Sequence, residues 1–344
     1  MLDAVLSPVK ARLARRVLAV PESVRRRVLP PPREHDGRRL DRQVQLMLTL
    51  ASKLDGRSTS ELTVEEAREG SERRAGLLAP KVRSRVDTET ITLAGRPARI
   101  YRPARSDSPP TTLYWLHGGG HTIGSLDSYD GVCRRMAADT PCVVVSLDYR
   151  LGPEHRFPAA ADDATAGFRE LVSRASELGL DPSRIVAGGD SAGGNLACVV
   201  GLDTREESAK PMALFCIYPV VDYAMTFPSV ETFGTGLFLQ KEDIAWFRDQ
   251  YIGEQSAQQP RVSPWYAESV EGLPPSVVMV AGFDPLYDEG IAWAKRLEEA
   301  GVPVELEEAP SLIHGFWNMS GGIRAADRAF EDGLAALRRV IRRR

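Results

Sequence analysis

Residues 188–195 read Gly188-Gly189-Asp190-Ser191-Ala192-Gly193-Gly194-Asn195, and the reading of the whole chain turns on this octet. Its centre, Gly189-Asp190-Ser191-Ala192-Gly193, fits the pattern Gly-x-Ser-x-Gly, which places a serine at the tip of a sharp strand-to-helix turn. The flanks supply that context. Apolar Ile185-Val186-Ala187 precedes the octet, and a helix-compatible run, Asn195-Leu196-Ala197-Cys198-Val199-Val200, follows. A serine at such a tip has a strained backbone, and glycines on either side let neighbouring chain pass without a Cβ clash. Its hydroxyl then stands at a helix N-terminus, where free N–H groups and the helix dipole favour developing negative charge. Alone, the pattern fits a plain tight turn equally well, so its meaning depends on partners elsewhere.

Around the octet, apolar β-type runs alternate with helical stretches. Strands are predicted at Ala98–Tyr101, Thr112–Leu116, Cys142–Leu147, Ile185–Ala187, Ala213–Tyr218, Ser276–Ala281 and Val302–Glu307. Helices are predicted at Tyr129–Ala138, Ala159–Leu178, Ser191–Gly201 and Tyr287–Ala300, with a last one from about Arg324 to the end. The alternation predicts an α/β fold with a mostly parallel sheet and helices on both faces. Near-continuous apolar runs such as Cys142-Val143-Val144-Val145 suit strands buried on both sides. The first 80 residues, rich in Arg, Leu and Glu, lack strand signals and are interrupted by Pro30-Pro31-Pro32. Leu40–Leu54 has helical spacing, with Leu40, Val44, Met47, Leu48 and Ala51 on one face. Residues 222–260, with Phe227, Phe233, Phe238, Trp246, Phe247 and Tyr251, break the rhythm and read as a helical insertion. It is expected to pack with the N-terminal helices over the carboxyl edge of the sheet.

The chain has 344 residues, 43% hydrophobic and 26% charged, with a net charge of −3. That length accommodates one large domain with a smaller appendage. The charge balance, without aromatic–basic interleaving, argues against a nucleic-acid partner. Cys133, Cys142, Cys198 and Cys216 are widely spaced and read as buried free thiols, which points to a cytoplasmic location and away from a metal site. Residues 1–20 are periodic, but Lys10, Arg12, Arg15 and Arg16 interrupt the apolar centre that a secretory signal needs. The segment reads as a helix docked on the domain or partly disordered, in preference to an amphipathic arm on a membrane surface. The Arg-rich end, from Arg338 to Arg344, reads as the solvated last turn of a helix.

A nucleophilic serine needs a base, a group that orients the base, and donors for an oxyanion. Of five histidines, only His314 follows Ser191, in the order Ser…Asp/Glu…His expected of this fold class. Asp284, just after the strand Val277–Ala281, is the preferred acid; Asp288, Glu289 and Asp222 are rivals. The amide of Ala192 and those of the loop His117-Gly118-Gly119-Gly120 are the candidate oxyanion donors. His117 is expected to brace that loop. No cofactor or metal is called for.

These residues make the chain similar to the bacterial hormone-sensitive-lipase-like esterases of the α/β-hydrolase fold. The segments that carry the resemblance are His117-Gly118-Gly119-Gly120, the stretch from Asp148 to Ala160 (Asp-Tyr-Arg-Leu-Gly-Pro-Glu-His-Arg-Phe-Pro-Ala-Ala), Gly189–Asn195, Asp284–Gly290 and His314-Gly315-Phe316. They occur in the family's order over roughly residues 80–340. The resemblance implies a triad of Ser191, Asp284 and His314. It implies oxyanion donors at Gly119, Gly120 and Ala192, with Gly118 adjoining and included among the candidates. It implies a cap built from residues 1–60 and about 222–260 over a catalytic domain spanning 80–344, and a small ester as substrate with short to medium acyl chains. Glu154 is read as structural bracing. The N-terminal segment 1–35 is longer than the family pattern. An amidase, deacetylase or peptidase with the same triad is left open, as is a homodimer. A non-catalytic ligand receptor is disfavoured, because His314 is present.

Overall fold

Eight strands form a mixed sheet in the computed structural model, which describes residues 11–54, 57–80, 82 and 84–343. Residues 1–10 of the predicted arm, Lys10 included, and Arg344 lie outside the described residues. The strands are β1 (Val86–Leu93), β2 (Arg96–Pro103), β3 (Thr112–Leu116), β4 (Val143–Leu147), β5 (Ile185–Asp190), β6 (Ala213–Ile217), β7 (Ser276–Phe283) and β8 (Val304–Ile313). Their spatial order is β8-β7-β6-β5-β3-β4-β2-β1. β2 runs antiparallel to both its neighbours, and every other pairing is parallel.

From β3 to β7 every strand residue is buried, as expected of parallel strands covered on both faces. Besides helical residues 11–18, the described helices include α1 (Glu22–Val28), α2 (Arg42–Leu54), α3 (Val64–Leu78), α4 (Asp130–Asp139), α5 (Ala159–Ser173), α6 (Ala192–Thr204), α7 (Ser229–Phe233), α8 (Lys241–Ile252), α9 (Tyr287–Glu299) and α10 (Arg324–Arg342). Alternate strand residues serve the two faces. Leu113 and Trp115 join one core with Met136 of α4 and Phe330 of α10. Tyr114 and Leu116 join the other with Phe168 of α5, Leu196 of α6 and Trp293 of α9. α10 owes its place to a spacing of three and four between Ala326, Phe330, Leu334, Leu337 and Ile341, all buried.

Some sequence expectations need correcting. β1 was not predicted, because an edge strand paired on one side is largely exposed and its Asp-Thr-Glu-Thr centre carries no apolar alternation. A two-residue ribbon pairs Glu34–His35 with Arg38–Arg39 in the region read as lacking strands. Its signal was the Asp36-Gly37 pair, both at positive φ (46° and 74°), the favoured two-residue hairpin turn. The insertion is helical only at α7 and α8, and loops make up the rest.

The N-terminal segment and the insertion meet through polar contacts. Ser58 Oγ and Ser60 N donate to Asp243 Oδ1 of α8 at 2.7 and 2.9 Å. Arg33 donates to the carbonyls of Thr232 and Thr235. Among the described residues no helix is long and apolar enough to cross a membrane.

Candidate active site

Strand register determines which loops meet. Leu116 of β3 lies opposite Gly189 of β5, so the loop 117–120 and the Ser191 turn open side by side. Ile313 of β8 lies opposite Phe283 of β7, so the next residues, His314 and Asp284, leave neighbouring strand ends together. All four loops emerge at the carboxyl edge of the sheet, where parallel α/β folds place their sites.

Ser191 has φ 56° and ψ −120°, a region that residues with a side chain seldom occupy. Its amide donates to Ile217 O at 2.8 Å, tying the turn to the end of β6. The turn is closed so tightly that a Cβ on Gly193 would lie 1.9 Å from Leu116 O. Only glycine fits that approach.

Ser191 Oγ lies 2.9 Å from His314 Nε2, and His314 Nδ1 lies 2.7 Å from Asp284 Oδ2. Asp284 is fully buried, and its other oxygen accepts the Leu286 amide at 2.9 Å. A carboxylate so placed accepts a hydrogen bond from Nδ1–H, which leaves the Nε2 lone pair facing the serine hydroxyl. The Tyr218 ring packs 4.5 Å from the imidazole.

The rival acids are engaged elsewhere. Asp288 accepts the Ser229 amide, and Asp222 accepts amides within its own turn. Glu289 is buried and accepts the amides of Val221 and Asp222, and burial pushes its pKa up.

The glycine loop needs one correction. The Gly118 amide, a candidate oxyanion donor, donates to Asp190 Oδ1 and lies equally close to the Tyr129 hydroxyl, both at 3.0 Å. It is therefore not available to a substrate oxygen. The amides of Gly119, Gly120 and Ala192 donate to no group among the described residues. Gly119 has φ 115°, which turns the loop back so that the Thr122 and Ile123 amides close onto its carbonyl. The loop is braced from below. His117 stacks on Tyr149 at 4.3 Å, and Tyr149 donates to His117 O at 2.7 Å. Glu154 pairs with Arg68 of α3 at 2.6 Å, and Arg68 also donates to the carbonyls of Thr122 and Gly152. That contact matches the bracing role read from sequence.

Two features were missed in the sequence. Asp190, given no role there, is buried and also accepts from the Tyr129 hydroxyl at 2.9 Å, and burial pushes its pKa up to about 6. His121 stacks on Tyr251 of α8 at 3.7 Å with both ring nitrogens buried and unpartnered. Burial holds His121 neutral, its pKa lowered to about 3.

Comparisons with known proteins agree with this architecture. The family model for the alpha/beta hydrolase fold matches residues 113–318. The carboxylic ester hydrolase LipN of Mycobacterium tuberculosis is 39% identical over 318 residues, covering 88% of this chain and 84% of that protein. The ethyl acetate hydrolase of Pseudomonas putida is 37% identical over 81% of this chain and 91% of its own length. The structure of a hyperthermophilic esterase from Pyrobaculum calidifontis superposes with a TM-score of 0.77 at 34% identity, covering 86% of this chain and 97% of that one. The chain thus belongs to the α/β-hydrolase fold family, among its hormone-sensitive-lipase-like carboxylesterases.

Proposed function

We propose that the protein hydrolyses carboxylic esters of short to medium acyl chain length through an acyl-enzyme on Ser191. His314 Nε2 takes the serine proton as Oγ attacks the ester carbonyl. Asp284 fixes the tautomer and stabilises the imidazolium that forms. The negative charge gathers on the former carbonyl oxygen. The Gly119, Gly120 and Ala192 amides are the donors for it, with Ala192 at the first turn of α6 adding the helix dipole. His314 then returns its proton to the departing alcohol. Water repeats the sequence on the acyl-enzyme, with His314 again as base.

The observation that carries this reading is the unbroken relay from Asp284 through His314 to a strained, pinned Ser191. We assign the segments 1–60 and 222–260 as the cap over the catalytic part, 80–344. Two of the insertion's aromatic residues support a confined acyl site. Phe247 of α8 lies against Gly120, where a Cβ would be 2.3 Å from its ring, and Phe238 lies over Gly315 beside His314.

A series of chromogenic esters from acetate to long-chain acyl groups, run with Ser191→Ala as control, tests the reading. The wild type is expected to turn over the short members fastest. Ser191→Ala should lower kcat by roughly 10⁴-fold or more, as losing a triad nucleophile does. Equal product release by both proteins overturns the assignment.

A further inference from the structure

We propose that Asp190 is a positioning residue that locks the oxyanion loop to the nucleophile turn and to the histidine loop. This rests on the ester-hydrolase reading above. Asp190 is the last residue of β5, immediately before Ser191, and it touches none of the reacting atoms. Its carboxylate instead gathers donors from separate segments. Gly118 N, from the loop after β3, reaches Oδ1 at 3.0 Å. The Tyr129 hydroxyl, from the turn before α4, reaches Oδ2 at 2.9 Å. Asn318 Nδ2, four residues past His314, reaches Oδ2 at 3.3 Å. The Tyr218 hydroxyl, just past β6, lies 3.4 Å from Oδ2.

Each of these segments carries or touches a group with a role in the proposed reaction. Gly118 immediately precedes the donor Gly119. Tyr218 packs against the His314 ring, and Asn318 holds the chain that follows that histidine. Tyr129 closes the set, since its hydroxyl also lies 3.0 Å from Gly118 N. The carboxylate is fully desolvated, and a buried charge is a poor device for stability alone; an apolar residue of similar volume often serves stability as well or better. What a buried acceptor of several donors supplies is registry. Oxyanion stabilisation demands registry, because a donor displaced by about 1 Å can lose on the order of 100-fold in rate.

A positioning role and a merely structural one separate in kinetics. The variants are Asp190→Ala, Asp190→Asn and Tyr129→Phe. They are compared for kcat, KM and affinity for a trifluoromethyl ketone that mimics the tetrahedral intermediate. Asp190→Ala is expected to lower kcat and analogue affinity together by about 100-fold, with KM changed by no more than about threefold. Asp190→Asn keeps an acceptor for Gly118 and should recover to within about tenfold of wild type. Tyr129→Phe, which loses one hydroxyl, should fall by about tenfold in kcat.

The inference is overturned if folded variants keep wild-type kcat, or if they lose thermal stability while kcat and analogue affinity stay put. Should Asp190→Ala fail to fold, Asp190→Asn and Tyr129→Phe decide alone, and wild-type kcat in both overturns it. If Ser191→Ala is dead while the Asp190 variants are indifferent, this inference fails and the ester-hydrolase reading stands. If the wild type cleaves no ester, both fail.

Discussion

At the carboxyl edge of the sheet, Gly193 and Leu116 O are so close that a single added methyl group would sit 1.9 Å from the carbonyl. In the proposed cap, α8 meets the N-terminal segment through hydrogen bonds from Ser58 and Ser60 to Asp243, in a half-buried setting. The two regions border the same site, but they constrain sequence differently. At the edge, backbone approaches backbone, and strand register decides which residue stands next to which. In the proposed cap each of these contacts rests on at least one side chain, and many combinations would cover the same surface. The edge is accordingly intolerant of substitution, and the cap should absorb it.

The most direct way to break that comparison is Gly193→Ala. The new Cβ meets main chain on β3, which cannot swing aside as a side chain can. A loss of about 3 kcal/mol or more is expected, at the upper end of overpacking costs, together with loss of ester hydrolysis. Urea unfolding of wild type and variant measures it. A cost under about 1 kcal/mol would mean that the turn relaxes and that the edge is no stiffer than the cap.

An intermediate effect is expected where the two regions touch, at His121, which follows the glycine loop 117–120 and stacks on Tyr251 of α8. Burial lowers its pKa to about 3 from an ordinary 6.5. Above pH 6.5 neither the folded nor the unfolded state binds a proton here. Below it the unfolded chain does and the folded chain does not, so stability present at neutral pH is lost as the pH falls. One such histidine is worth about 1.4 kcal/mol per pH unit. His121→Phe keeps the stack and removes the proton. Its positive φ of 57° adds strain that does not vary with pH. Between pH 7.5 and 5.5 the wild type should lose about 1.4 kcal/mol more than the variant in urea titrations. Parallel losses would mean that His121 titrates while folded and that the seam admits water.

The same contrast explains what the sequence let one read. Ser191, Asp284 and His314 could be proposed from sequence because they occur in a fixed order and lie near strand ends, two of them after buried apolar strands. The glycines were legible as a cluster, but the individual role of Gly118 was not. Its amide is taken by Asp190, 72 residues away, and no local pattern reveals a donor already spent. Asp190 was opaque for the same reason, since its meaning lies in Tyr129, Tyr218 and Asn318, brought together only by the fold. β1 escaped because an exposed edge strand needs no apolar alternation. The insertion announced itself by its aromatic residues, yet its mostly irregular path follows from contacts with the N-terminal segment that periodicity does not encode.

The smallest effect should come from Ser58→Ala, which tests the cap side directly. Ser58 Oγ donates to Asp243 Oδ1 at 2.7 Å and accepts the Ser60 amide at 3.2 Å. Removing it leaves Asp243 with the amides of Ser60 and Gln240, at 2.9 and 3.0 Å, so the buried carboxylate stays satisfied. The loss should be about 1 kcal/mol, that of one capping hydroxyl, read from the urea midpoint. Because no strand end moves, kcat on a short-chain ester should stay within about twofold of wild type, a barrier change below about 0.5 kcal/mol. A tenfold fall in kcat at that small stability cost would show that the cap's polar contacts help to place Phe247 over Gly120. The cap would then share in the precision that the strand edge supplies.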